Sequence, residues 1–269
     1  MTTLLRTCAT PLLAVALALA GCASPPPAPA PPPQPPPALP VKQQEASPKE
    51  RAKLHADLAA GYYERGRMDI AIEELNEAAK LDPSEPRIYN LYGLVYAMLG
   101  EDAKAEQNFQ RALAMAPQNP EFHHNWGWYL CSNGRPREAI PEFEIALRDP
   151  LYRTPEIAMI NAGRCSLAFG DLAGADNYFH RAQAAAPNNP QAIYGVALVT
   201  FKLGRQDEAR SSIRRLTQQP PVPPEALYLA MCIEKKSGDR SAEQSYISQL
   251  KNRYPDSAEA KAIPTGRCE

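Results

Sequence analysis

Six glycines recur at a near-constant interval: Gly66, Gly100, Gly134, Gly170, Gly204 and Gly238 are separated by 34, 34, 36, 34 and 34 residues. Between them Ala, Leu, Glu and Tyr recur with helical periodicity, and prolines mark each restart because proline cannot continue a helix. A period of roughly 20–50 residues means that one unit cannot bury its apolar face alone and must stack on its neighbours. The chain from about residue 50 onward is therefore a linear array of helix pairs.

A 34-residue unit of two helices is the tetratricopeptide repeat. Unit 86–119, "PRIYNLYGLVYAMLGEDAKAEQNFQRALAMAPQN", carries the pattern most fully. Tyr89, Tyr92, Gly93 and Tyr96 fall on its first helix, Ala105, Phe109 and Ala112 on its second, and Pro117 ends it. Small residues at Gly93 and Ala105 let two antiparallel helices approach, while Tyr96 and Phe109 fill the gap beside them. Unit 52–85 repeats this with Leu58, Ala59, Tyr62, Ala71, Leu75 and Ala78. Units 120–153 and 156–189 follow, unit 190–223 is weaker, and unit 224–257 places Met231 and Glu243 at the small positions. A degraded last unit is expected of a solenoid cap, which has one neighbour to pack on. The expected fold is all-α: a right-handed tetratricopeptide-repeat superhelix of six helix pairs over 49–262, with a C-terminal tail at 263–269.

The N-terminus reads differently. Arg6 precedes the apolar run "PLLAVALALA" (11–20), which is too short for the ~20 residues of a membrane span and reads as a signal peptide over 1–21. Leu19-Ala20-Gly21-Cys22 resembles a bacterial lipobox, which makes Cys22 the lipidation site and first mature residue. Ala23, where Asp would oppose it, favours the outer membrane, with the domain facing the periplasm. Residues 22–48 form the anchor and linker; 11 prolines between 25 and 40 predict a polyproline-II strut of roughly 50 Å.

The inner surface of such an array is lined from the first helix of each unit, at positions 2, 5, 9 and 12. Those positions hold Lys53, Ala56, Ala60 and Tyr63, then Arg87, Asn90, Leu94 and Ala97, then Glu121, His124 and Trp128. The mixture suits a peptide or helix laid in a groove. With 29 Lys+Arg against 30 Asp+Glu, no global field points to nucleic acid. His123-His124 point about 100° apart on a helix and lack a carboxylate or CxxC partner, so no metal site is expected. "GRCSLAFGD" (163–171) belongs to a repeat helix and its turn, and no phosphate loop, HExxH or nucleophile elbow is present. Neither cofactor, small-molecule substrate nor enzymatic activity is expected.

Processing removes Cys8 and lipidation uses Cys22, leaving Cys131, Cys165, Cys232 and Cys268. Exported proteins fold where disulfides persist. Cys131 and Cys165 are 34 residues apart in neighbouring repeats, across the only two-residue insertion, "DPLYRTPE", and are expected to be bridged. Cys232 and Cys268 either close the tail onto the cap or remain free thiols.

The segment 124–165, "HNWGWYLCSNGRPREAIPEFEIALRDPLYRTPEIAMINAGRC", is more specific than a generic repeat. Its N-x-G-W-x-L-C-x-x-G run, its "DPLY" with a following proline and its "NAG-x-C" resemble the type IV pilus biogenesis lipoproteins of the PilF/PilW family. That resemblance implies a six-repeat superhelix with these two cysteines bridged. It also implies a pilotin: a lipoprotein that binds the outer-membrane secretin and promotes its localisation and multimer assembly. The alternative is a generic outer-membrane scaffold for envelope assembly factors, against which the cysteine-bearing segment argues.

Overall fold

The computed structural model describes residues 46–266 and Cys268. The expected signal peptide, the lipidation site Cys22 and the proline tract lie outside the described residues. Six helix pairs follow one another: α1 (Pro48–Glu64) and α2 (Met68–Leu81), α3 (Pro86–Met98) and α4 (Asp102–Met115), α5 (Pro120–Ser132) and α6 (Pro136–Arg148). The second half comprises α7 (Pro155–Ala168) and α8 (Leu172–Ala185), α9 (Pro190–Lys202) and α10 (Gln206–Thr217), α11 (Pro224–Ser237) and α12 (Arg240–Arg253). A short α13 (Ala258–Ala262) and a 3-10 turn (Ile263–Thr265) follow, and no strand occurs among the described residues. The fold is a tetratricopeptide-repeat α-solenoid.

Local chemistry sets these boundaries. Every odd-numbered helix from α1 to α11 begins with a proline in its first turn, where the missing N–H costs nothing. Ser47 and Glu50 form a capping box on α1, and Asn119 and Asn189 cap α5 and α9, each such cap stabilising by about 1 kcal/mol. The six periodic glycines all have positive φ, between 70° and 84°, which turns the chain from the first helix of a pair into the second.

Packing repeats with the same period. The twenty-fourth position of the first five units is Leu75, Phe109, Phe143, Phe179 and Ile213, all buried, and the small twentieth position is Ala71, Ala105, Ala139, Ala175 and Ala209. A Cβ added at Gly93 would meet the Phe109 ring at 2.7 Å, and one at Gly163 would meet Phe179 at 2.8 Å. These glycines are there because the ring takes the volume a side chain would need.

The last pair departs from the pattern, and no further helix pair packs on it among the described residues. Glu243 stands where the other units have alanine, and α12 buries only Leu250. In its place α13 folds back on α11 and α12, and a disulfide joins Cys268 to Cys232 with the Cα atoms 5.4 Å apart. The pairing left open by the sequence is thus made. The sequence reading also missed Glu234, which is buried on α11 and held by Arg210 of α10, whose Nε donates to Oε1 at 3.0 Å. Arg210 also reaches Asp239 at 2.8 Å, tying the fifth pair to the sixth.

Candidate protein-docking surface

The residues predicted to line a groove divide by their position in the repeat. In the first two repeats position 5 is not groove floor but part of the seam between successive first helices, while in the third His124 bonds across that seam and also reaches the inner face. Asn125 Nδ2 donates to Asn90 Oδ1 at 3.2 Å, and Asn161 Nδ2 lies 2.8 Å from His124 Nε2. Ala56 and Asn90 are consequently buried and offer nothing to a partner, which corrects their assignment. Lys53 and Glu121 are exposed, whereas Ala60, Tyr63, Leu94, Ala97 and Trp128 are half-buried along the same helices. Arg87 pairs with Asp57 across α1 and α3, so its charge is already engaged.

The adjacent histidines serve opposite electrostatic ends. His123 Nδ1 lies 2.5 Å from Glu142 Oε2 and its Nε2 3.0 Å from the Pro117 carbonyl, so the imidazolium alone satisfies both acceptors. Burial opposes that charge, but the bonds to Glu142 and Pro117 outweigh it and the pKa is raised. His124 is pushed down to about 4 by burial. Its neutral ring accepts from Asn161 and bonds the Tyr152 hydroxyl at 2.7 Å. Their partners differ, and neither histidine shares a ligand set with the other.

Tyr152 brings the two-residue insertion into the inner face. Together with Asn119, Glu121, His124 and Asn125 it lines a cleft of about 500 Å³ between the third and fourth pairs. One helical turn beyond, Trp128 borders a smaller cleft of about 250 Å³ that reaches the Cys131–Cys165 disulfide. Cys131 stands at position 12 of its unit and Cys165 at position 10 of the next, and the bridge spans a Cα separation of 5.8 Å.

A further surface lies at the N-terminal end of the solenoid. Positions 3 and 7 of a unit pack against the second helix of the preceding pair. They are Ile88 and Tyr92, Phe122 and Trp126, Ala158 and Ala162, Ala192 and Val196, and Ala226 and Ala230, and every one is buried. The first unit has Leu54 and Leu58 there, 58% and 42% exposed. Leu58, read from the sequence as part of the repeat's packing pattern, is uncovered because no described helix precedes α1. The signal was present in the sequence as two leucines at core positions with no repeat before them. Exposed Arg51 on α1 and Arg65, which caps its C-terminal end, flank the leucines.

Comparison with known proteins adds identity to this geometry. Tetratricopeptide-repeat family models match residues 61–100, 86–119, 124–190 and 167–226. The crystal structure of PilW, a widely conserved type IV pilus biogenesis factor, superposes with a TM-score of 0.73 at 30% identity, over 79% of this chain and 98% of that one. The chain belongs to the PilF/PilW family. The solved structure of PilF from Pseudomonas aeruginosa agrees, with a TM-score of 0.74 at 26% identity over 82% of this chain and 99% of that one. In sequence, the type IV pilus assembly protein PilF of that organism is 27% identical over 220 residues, 82% of this chain and 87% of its own. PilF/PilW membership and the repeat geometry together make the surfaces above candidates for protein docking, and the similarity gives the chain a role in type IV pilus biogenesis.

Proposed function

We propose that this protein is a non-enzymatic pilotin: lipidated at Cys22, held at the periplasmic face of the outer membrane, and bound to the type IV pilus secretin, whose localisation and multimer assembly it promotes. The observation that carries the docking part is the uncovered pair Leu54 and Leu58 at positions that are buried in the five other repeats. Burying both against a partner helix would be worth about 2–3 kcal/mol, enough to shift an equilibrium some thirty-fold to over a hundred-fold. A secretin segment that presents an amphipathic helix would stand where a preceding repeat's second helix stands elsewhere in the array. The proline tract would supply the reach, and the two or three acyl chains of a lipoprotein terminus would supply stable residence.

The experiment is removal of the protein followed by an immunoblot for heat-resistant secretin multimers. Multimers are expected to vanish and surface pili with them; normal multimers and normal piliation in its absence would rule out the pilotin reading. A Cys22→Ala chain is expected to leave secretin away from the outer membrane, and secretin that arrives normally would remove the anchor from the account.

A further inference from the structure

The C-terminal half of the solenoid holds a second cleft, of about 850 Å³, far from the first three repeats in sequence. Its floor is apolar, built from Leu167, Leu172 and Phe201. Three ammonium groups stand around that floor: Lys202 at the end of α9, and Lys235 and Lys236 in the last turn of α11. One wall is the Cys232–Cys268 disulfide, which brings the tail back against α11. The tail also fixes one of the lysines, since Lys235 Nζ donates to the Gly266 carbonyl at 3.1 Å. Lys236 Nζ stands 5.0 Å from the centre of the Phe201 ring.

Lysines at helix C-termini are individually favourable because they meet the negative end of the helix dipole. That does not account for three of them around one apolar floor with no carboxylate among the described residues that line it. None of the three forms an ion pair among the described residues, whereas Arg135, Arg181, Arg205 and Arg210 are each paired across repeats. Among the described residues this cleft has a positive rim over a hydrophobic bed, walled on one side by the disulfide, while Glu225 and Glu259 line the adjoining cleft that shares Lys202.

We propose that this cleft docks an acidic, partly apolar peptide segment of a partner protein, with an apolar side chain on Leu167 and Leu172 and carboxylates on Lys202 and Lys236. Charge complementarity selects an anion, and the volume is that of a site which takes a few side chains. Concavity selects the peptide: a flat anionic bilayer would reach the ammonium ends but leave the floor of Leu167, Leu172 and Phe201 empty. The site lies in repeats four to six and is independent of the secretin-docking reading of the first repeats.

The test is fluorescence anisotropy of the full chain with a labelled Leu-Glu-Glu-Leu-Glu-Glu peptide and its counterpart with glutamine at every glutamate. The acidic peptide is expected to bind, to weaken with added salt, and to lose about tenfold in affinity to a Lys202→Gln/Lys236→Gln chain. Lys251→Gln, a charge removed elsewhere on α12, is expected to bind as the parent does. Because both altered lysines are exposed, the double variant should keep its helical circular dichroism, and Cys268→Ser, which frees the wall, should weaken the peptide severalfold. Equal binding of the glutamine peptide, or unchanged binding by the double variant, would overturn the proposal. So would flotation of the chain with phosphatidylglycerol vesicles through the same two lysines without binding of the peptide, which would assign them to a lipid surface.

Discussion

Gly93 on α3 and the ring of Phe109 on α4 share one volume: a Cβ on the glycine would lie 2.7 Å from two ring carbons and 2.8 Å from a third, closer than contact allows. The pair closes the second repeat, with Phe109 buried behind it. Gly93→Ala should therefore overpack the repeat and cost about 1–3 kcal/mol, a fall of several degrees in melting temperature for a domain of this size. Gly100→Ala meets open space, and its cost comes from the φ of 71° alone, about 1–2 kcal/mol. Thermal denaturation by circular dichroism distinguishes them, and a Gly93→Ala chain that melts with the parent would show that the helices have room to separate.

The Cys131–Cys165 bridge closes a loop of 34 residues between the third and fourth pairs. In the chain-entropy account such a loop stabilises by about 3–4 kcal/mol. The Cys131→Ser/Cys165→Ser chain should unfold at lower urea, with a slope no shallower than the parent's because its unfolded state is less compact. An identical midpoint would mean that the joint is held by Tyr152, His124 and Asn161 alone.

His123 and His124 should give opposite pH dependences. The His124 pKa is lowered from 6.5 to about 4 in the fold, so the unfolded chain takes up the proton first. Its contribution is present above pH 6.5 and is lost as pH falls toward 4. The His123 pKa is raised from 6.5, so its contribution is complete below 6.5 and is lost as pH rises through the folded value. Melting temperature against pH should show that His124→Gln flattens the acid side and His123→Gln flattens the side above 6.5. The same slope change from both variants would contradict the assigned charge states.

The glycine period, the small-residue positions and the aromatic knobs were legible in the sequence because each answers a local steric demand. Gly66 and its counterparts need positive φ, and Phe109 needs a missing Cβ opposite. The groove was legible only in part. Position 5 reads as an inward slot on a single helix, but in the first two repeats it is part of the contact between neighbouring first helices, and only stacking shows that Asn90 must meet Asn125. Leu58 misled in the other direction: it matches a core position, and it is exposed beside Leu54 because no described helix precedes α1. The Arg210–Glu234 pair has no local signature at all, since it joins helices 24 residues apart.

The account turns on the uncovered face of α1, and one measurement addresses it directly. A Leu54→Glu/Leu58→Glu chain, which alters no buried position and should keep its melting temperature, is returned to cells lacking the protein, and heat-resistant secretin multimers are blotted. The account predicts that the variant reaches the same abundance as the parent yet fails to restore the multimers. Full restoration by that variant would contradict it.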